Sequence, residues 1–281
     1  LYSRSPDSIV DEILWLKKSE TIKTVHFVDD VFTVDKKWTL KFSDIYAKRC
    51  GIPFSINARF DHFDEEIISS LVKAGLCLVY AGVEAGNEYI RNTVMERQQS
   101  LEKIYYTGNL FKKYGIKLIT ENVLGNPGET FDMVMETLKV NMKLKPTYAD
   151  ASIFAPYPGL KMTRYAIDNG YFDGNFDRLD ATFFESSVLK FNNERDERKI
   201  YNLRCFFSLV PHHPWLMRFI KPLLNLPFKR LFWSIGKIID GYYLRKGLAY
   251  KQKPMEFITS VIHYCTNYRY SNKPTTHNFN R

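Results

Sequence analysis

From Thr24 to Tyr157 the chain alternates short apolar stretches with longer stretches of helical spacing, and each apolar stretch ends in charged or glycine-rich residues. Few folds accept that rhythm. Apolar strands separated by helices build a parallel sheet with helices on its outside. Right-handed crossovers then put every strand C-terminus on one edge. The predicted strands are 24–30 (TVHFVDD), 53–59 (PFSINAR), 76–84 (LCLVYAGVE), 117–125 (KLITENVLG) and 148–157 (YADASIFAPY). Helices are predicted over 8–19, 38–50, 64–74, 87–95, 100–114, 130–144 and 160–169, with Asp64 as a cap and Gly51, Gly75 and Gly115 as stops.

The strands end in Asp29-Asp30, in Arg59, in Glu84 before Gly86, in Gly125 before Asn126-Pro127-Gly128, and in Tyr157 before Pro158-Gly159. Polar, glycine-rich ends on successive strands match the active edge of a (β/α) barrel. Adjacent acids on a strand point to opposite faces, so one of Asp29 and Asp30 faces the barrel mouth. A carboxylate there is suited to hold an ammonium group by charge-assisted hydrogen bonds. In GVEAGN (82–87) the small residues admit a ligand to the backbone and the helix start favours an anionic group. A strand-ending Glu84 suits ribose hydroxyls or an amine. Taken alone, VDD also reads as a solvated acidic turn and LGNPGET as an ordinary turn into a helix.

After about residue 172 the pattern changes. Residues 173–200 are polar and turn-rich, and a basic, aromatic, helix-like stretch follows, which Pro214, Pro222 and Pro227 divide into short helices. Between Arg195 and Lys253 thirteen Lys or Arg face three Asp or Glu, which concentrates here the chain's net charge of +9. The expected arrangement is an amphipathic extension packed under the barrel with its basic face in water. An anionic membrane surface is the second reading. RNA is the last, with no signature of a known RNA-binding module. The tail from Asn267 is expected to be loose. No apolar run approaches the ~20 residues of a membrane span.

The four cysteines, Cys50, Cys77, Cys205 and Cys265, are dispersed. They read as core thiols of a cytoplasmic chain, the inner membrane face being the alternative site, and not as metal ligands. His26 is expected to pack inside its strand, and His212-His213 to be an exposed loop pair. No catalytic residue and no metal site is assigned.

The ordered set RSPDSIVDEI, HFVDD, INARFD, AGVEAGNEYIRNTVMER, LGNPGETFDMVMET and APYPG strongly resembles radical S-adenosylmethionine (SAM) enzymes. It is most similar to the branch whose members often carry a cobalamin-binding domain upstream. The resemblance covers about Tyr2 to Gly170, and implies an α/β fold: a partial parallel (β/α)6 TIM-like barrel, its first strand missing, over 1–172, and an α-helical extension over 173–281. It implies SAM, a 4Fe-4S cluster and, through an upstream domain, cobalamin. It sets the start of the chain at the first barrel helix, so the CxxxCxxC loop that ligates the cluster falls before Leu1 and the fragment is expected to be inactive without it. By the same resemblance Asp29 and Asp30 hold the methionine amino group, and Arg59 lies near ribose and carboxylate. Glu84, Gly86, Asn87 and Arg91 belong to the next strand's share of the site. Leu124 and Gly125 line the adenine, and Tyr157 lies towards adenine or substrate. Glu121 departs from the family's small residue and is expected to face the interior in need of a partner. The partners implied are a small-molecule or lipid-linked substrate and an electron donor such as flavodoxin or ferredoxin, with peripheral membrane contact as a further reading and nucleic acid unexpected. The rival functions are a non-catalytic barrel scaffold and a membrane- or RNA-associating protein acting through the basic helices.

Overall fold

The computed structural model describes residues 3–179, 187–191 and 193–250, with Met255 and Thr259. The tail from Asn267 and Cys265 lie outside the described residues. Helix α1 (Pro6–Leu16) leads into β1 (Val25–Phe27), and then α2 (Lys36–Arg49), β2 (Phe54–Ala58), α3 (Glu65–Ala74), β3 (Leu76–Glu84), α4 (Leu101–Lys113), β4 (Lys117–Leu124), α5 (Phe131–Leu144) and β5 (Tyr148–Ile153) follow. The five strands lie in the order β1-β2-β3-β4-β5, and every neighbouring pair is parallel. The sheet is not closed, in agreement with the expected partial barrel.

Helix ends follow local chemistry. The Asp64 side chain accepts from the backbone N–H of Ile67 at 2.8 Å. Gly75 ends the same helix at φ +110° with its N–H on Leu71 and Val72 carbonyls, a left-handed stop that glycine adopts without a side-chain penalty. Ser100 and Thr130 cap α4 and α5 in the same way as Asp64.

Alternation along the strands separates two faces. Phe54, Ile56, Val79, Ala81, Val83 and Leu118 turn toward the helices and are at most 5% exposed. They share one core with Val10, Phe42, Tyr46, Ile68, Leu71 and Phe111. Phe27 stands edge-on to Phe42 and Phe54 at 5.3 and 5.7 Å, a geometry that adds about 0.5–1.5 kcal/mol per pair beyond the area buried. The opposite, concave face is polar, and its residues pair across strands: His26 with Ser55, Asn57 with Tyr80, Glu121 with Asp150. His26 is thus not packed core, as its sequence context suggested. Val25 and Phe27 take the helix side, so His26 is exposed on the concave face, with Nδ1 2.8 Å from Ser55 Oγ.

Beyond β5 come α6 (Lys161–Asp168), α7 (Glu194–Arg204), α8 (Met217–Leu223) and α9 (Lys229–Gly247). The extension does more than lie under the barrel: α7 and α9 cover the free edge of β5. Arg204, 4% exposed, donates from Nε to the Ala151 carbonyl at 3.1 Å and pairs with Asp240 at 3.3 Å, while Ser208 donates to the same carboxylate. Covering an edge strand removes a template for aggregation. The end of α9 plugs the lower concave face, where Tyr243 packs with Leu78, Ile119 and Tyr148. Lys117 Nζ donates to the Lys246 and Leu248 carbonyls at 2.9 and 2.7 Å. His212 stacks on Tyr243 at 4.4 Å and is half-buried, while His213 is exposed, so the expected exposed pair is a packed ring and a surface one. No helix among the described residues is long and apolar enough to cross a membrane.

Removing one partner of a buried ion pair strands the other charge, at a cost of about 3–5 kcal/mol. Arg204→Met is therefore expected to lower the urea-unfolding free energy by about 3 kcal/mol, and adding Asp240→Leu to restore most of it. A single variant as stable as the wild type would show that the pair does not hold the β5 edge.

Candidate active site

With its lower end plugged, the concave face is accessible from the strand C-termini. Strand β3 shifts register against β4 between Gly82 and Glu84, and Glu84 takes φ +64°. A left-handed backbone at a non-glycine residue is strained, and such strain concentrates at functional sites; a bulge re-aims the side chain it carries. The slot for that side chain comes from Gly82, whose added Cβ would lie 2.3 Å from Glu84 Oε1.

Glu84 is held by Arg97 at 2.7 Å, its side chain only 14% exposed. Arg59 donates to the Arg97 carbonyl at 2.8 Å and binds Asp61 through Nε and Nη2 at 3.0 and 2.8 Å. Burial pushes the Glu84 carboxyl above the usual carboxylate range, against the pull of Arg97 and then Arg59. Two guanidiniums and two carboxylates thus meet at the ends of β2 and β3. Arg97 and Asp61 were not predicted. Asp61 stands two residues after Arg59 in INARFD, and Arg97 lies in a polar run, Glu96–Gln99, that gives no periodic signal.

Glu121 faces the concave side as predicted. It sits deep between strands yet open to solvent, and makes no side-chain hydrogen bond or ion pair among the described residues. Burial raises its carboxyl first, then the charges of Glu84 and Asp150.

The loop after β3 is held from below. Gly86 donates its N–H to Thr137 Oγ1 at 2.8 Å, and Asn87 Nδ2 reaches both Glu136 oxygens at 3.1 Å. An added Cβ on Gly86 would meet the α5 backbone at Glu136 and Thr137 at 2.4 Å. Its smallness therefore serves helix packing, not the ligand approach read from sequence. Arg91, 1% exposed, donates Nε to the Gln99 carbonyl at 2.6 Å and Nη1 to the Ala85 and Gly86 carbonyls at 2.9 Å each. Its guanidinium is spent on fixing this loop. The predicted helix 87–95 is a single π-type turn, Tyr89–Val94.

The turn after β4 is built on Glu129. Its Oε2 accepts from Asn126 N and Nδ2, both at 3.0 Å, while Glu129 Oε1 and Asn126 Oδ1 are buried without a partner among the described residues. Both residues line a small cavity of about 10 Å³ beside Gly128 and Tyr171, room for about one water. Gly125 turns at φ +70°. Leu124 is wholly buried under α5 and α7, so only its backbone borders the site. Strand β1 ends at Phe27 and β5 at Ile153, short of prediction. Asp29 and Asp30 are consequently exposed in the loop after β1, without the opposite-face alternation a strand would impose, and Tyr157 is exposed in the loop before α6. The structure brings Arg59 and Glu84 together, knits Gly86, Asn87 and Arg91 into the scaffold beneath them, and leaves Asp29, Asp30 and Tyr157 on separate loops.

An open parallel sheet with an acid–guanidinium network and a glycine turn at its C-terminal edge is an α/β scaffold of the kind that takes small polar ligands across its strand ends. The Radical SAM superfamily model matches residues 1–140, and the chain belongs to the radical SAM superfamily. It is 30% identical over 169 residues to an uncharacterised methyltransferase of Pyrococcus horikoshii, covering 59% of this chain and 36% of the relative. It is 26% identical over 259 residues to an anaerobic magnesium-protoporphyrin IX monomethyl ester cyclase of Rubrivivax gelatinosus, covering 85% and 45%. The chain thus spans less than half the length of these curated relatives. Its fold is similar to the radical SAM methyltransferase TsrM of Kitasatospora setae (TM-score 0.54, 20% identity, 59% of this chain and 33% of that one). It is also similar to the cobalamin-dependent radical SAM enzyme OxsB (TM-score 0.53, 14% identity, 92% and 53%).

The donor set fits SAM, whose ammonium, carboxylate and ribose hydroxyls call for both acids and guanidiniums. It does not fit an iron–sulfur cluster: among the described residues no group of three or more His, Cys, Asp or Glu is placed to hold a metal. Cys50, Cys77 and Cys205 sit on separate elements.

Burial pushes the Glu129 carboxyl up to about 7 from 4.5, against its Asn126 hydrogen bonds. The folded state binds this proton more tightly than the unfolded chain. Its contribution is complete below 4.5 and is lost as pH rises through 7. Relative to Glu129→Gln, the wild type should lose on the order of 3 kcal/mol of unfolding free energy between about pH 4.5 and pH 8. Parallel stability curves for the two proteins would refute this assignment.

Proposed function

We propose that residues 1–172 are the SAM-binding core of a radical SAM enzyme of the cobalamin-associated branch, with 173–281 as its edge-covering extension. The observation that carries this reading is Glu84, bulged out of β3 in a left-handed conformation and set between Arg97 and Arg59 at the strand edge. In it Glu84 takes ribose hydroxyls or the amine, Arg59 the carboxylate side, and Asp29 and Asp30 the ammonium. The backbone of Leu124 and Gly125 lies along the adenine, and Tyr157 closes toward adenine or substrate. Gly86, Asn87 and Arg91 act beneath these groups as positioning residues, keeping the β3 loop seated on α5. When bound, SAM would supply a methyl group or, on taking one electron from an external reductant and losing methionine by cleavage of its C5′–S bond, a 5′-deoxyadenosyl radical, and the chain's own part would be to orient it and keep water away.

Methyl transfer to a small-molecule or lipid-linked substrate is the favoured reaction, because methyltransferases recur among the relatives. The cobalamin requirement is drawn from the cobalamin-dependent neighbours, and the 4Fe-4S cluster and a flavodoxin- or ferredoxin-like donor from the superfamily. A reducing cytoplasm suits the dispersed thiols.

The chain should bind SAM saturably by isothermal titration calorimetry, and Glu84→Gln should weaken binding about tenfold while leaving the fold intact, as loss of a charged hydrogen bond costs about 1.5–3 kcal/mol. Equal affinity in the variant would remove Glu84 from the site; no SAM binding by the wild type would remove the reading.

A further inference from the structure

The outward face of α8 and α9 is used by nothing described above. Inward, Ile220, Leu224, Phe232 and Tyr243 are at most 4% exposed. An amphipathic helix seated in this way should present polar residues to water. Instead Trp215 is 58% exposed, Phe219 53%, Leu231 57% and Ile238 76%. Trp215, Phe219 and Leu223 recur at four-residue steps, so they share one side of the helix. Leu231, Ile238 and Tyr242 follow at steps of seven and four and form a second stripe.

Cations accompany both stripes. Arg218 lies over the rings of Trp215 and Phe219, 5.9 and 4.6 Å from their centroids, and Lys246 over Tyr242 at 4.4 Å. From His213 to Leu248 seven Lys or Arg stand against a single acid, Asp240, and that acid is turned inward to Arg204 and Ser208. The outer face therefore holds its positive charge without an acid of its own segment on it.

We infer that this face seats the protein on an anionic lipid surface. Basic side chains beside exposed aromatic and aliphatic ones match the two layers they would meet: anionic headgroups, and below them the start of the acyl chains. Tryptophan and tyrosine suit that boundary because each ring has an apolar body and one polar tip. Nucleic acid fits less well. Leu223, Leu231 and Ile238 neither stack on bases nor pair with phosphates, and burying them against a charged backbone gains nothing. The apolar residues lie along helices that run on the surface, so the contact is peripheral.

The test is co-sedimentation of the whole chain with vesicles of phosphatidylcholine alone or with about 30% phosphatidylglycerol, at about 50 and 500 mM salt. Partition onto the anionic vesicles should be at least about tenfold stronger, and should fall several-fold at the higher salt. Ile238→Ser and Trp215→Ser, both at exposed positions, should each weaken it about tenfold with unchanged thermal melting. Absence of binding, equal binding to neutral vesicles, or wild-type binding by both folded variants would overturn the inference. So would polyuridylate binding that matches the vesicle affinity and is indifferent to Ile238→Ser, which would mark the face as a nucleic-acid surface.

Discussion

A parallel sheet with its packed helices along one face, and only the end of α9 against the other, has to satisfy most of that other face with its own side chains. Everything else in this molecule follows from that asymmetry. The helix side takes Phe54, Ile56, Val79 and Ala81 and becomes a dry core. The concave side takes the alternate residues, so Ser55, Asn57, Tyr80 and Glu121 come together in a polar trough because each sits one position from a core residue. A slip of one residue in any strand would exchange the two sets. The trough has an orientation as well. Tyr243 and the end of α9 fill its lower end, which leaves the strand C-termini as the way in.

At that edge the structure accepts strain and holds it with packing. Glu84 keeps a left-handed backbone because Gly82 vacates the slot for its carboxylate and Arg97 grips the far end. The loop behind it is seated on α5 at Gly86, where no Cβ fits, and tied by a buried guanidinium to three carbonyls. The turn after β4 repeats the device with the opposite charge, a buried carboxylate holding Asn126. A scaffold over-determined in this way keeps its first-contact residues in position before a ligand arrives, which lowers the entropic cost of binding.

Much of this was legible in the sequence, and the failures share one cause. The Asp64 cap, the Gly75 stop and the bounds of β3 were read to the residue, since each rests on local backbone chemistry. The parallel sheet and the shared edge of its strand C-termini followed from alternation and handedness, whereas the order β1-β2-β3-β4-β5 is a finding of the structure. What escaped depends on partners distant in the chain. Gly86 looked like a ligand-facing glycine because the helix that crowds it starts over forty residues later. His26 looked buried because its strand is apolar, but β1 lies at the edge and turns it to the open face. Arg97 closes the motif AGVEAGNEYIRNTVMER but was given no role, since nothing local marks an arginine that will reach back to Glu84. The exposed aromatics of α8 and α9 were visible as a pattern, yet only the fold tells which of them face outward.

The central claim is that a single ligand, SAM, bridges the ends of β3 and β4. Hydrogen–deuterium exchange of the whole chain with and without SAM tests it most directly. The account predicts slowed exchange confined to the strand C-terminal loops, residues 28–31, 59–61, 84–99, 124–130 and 155–158, with α8 and α9 unchanged. Protection elsewhere, or none at saturating SAM, would contradict it.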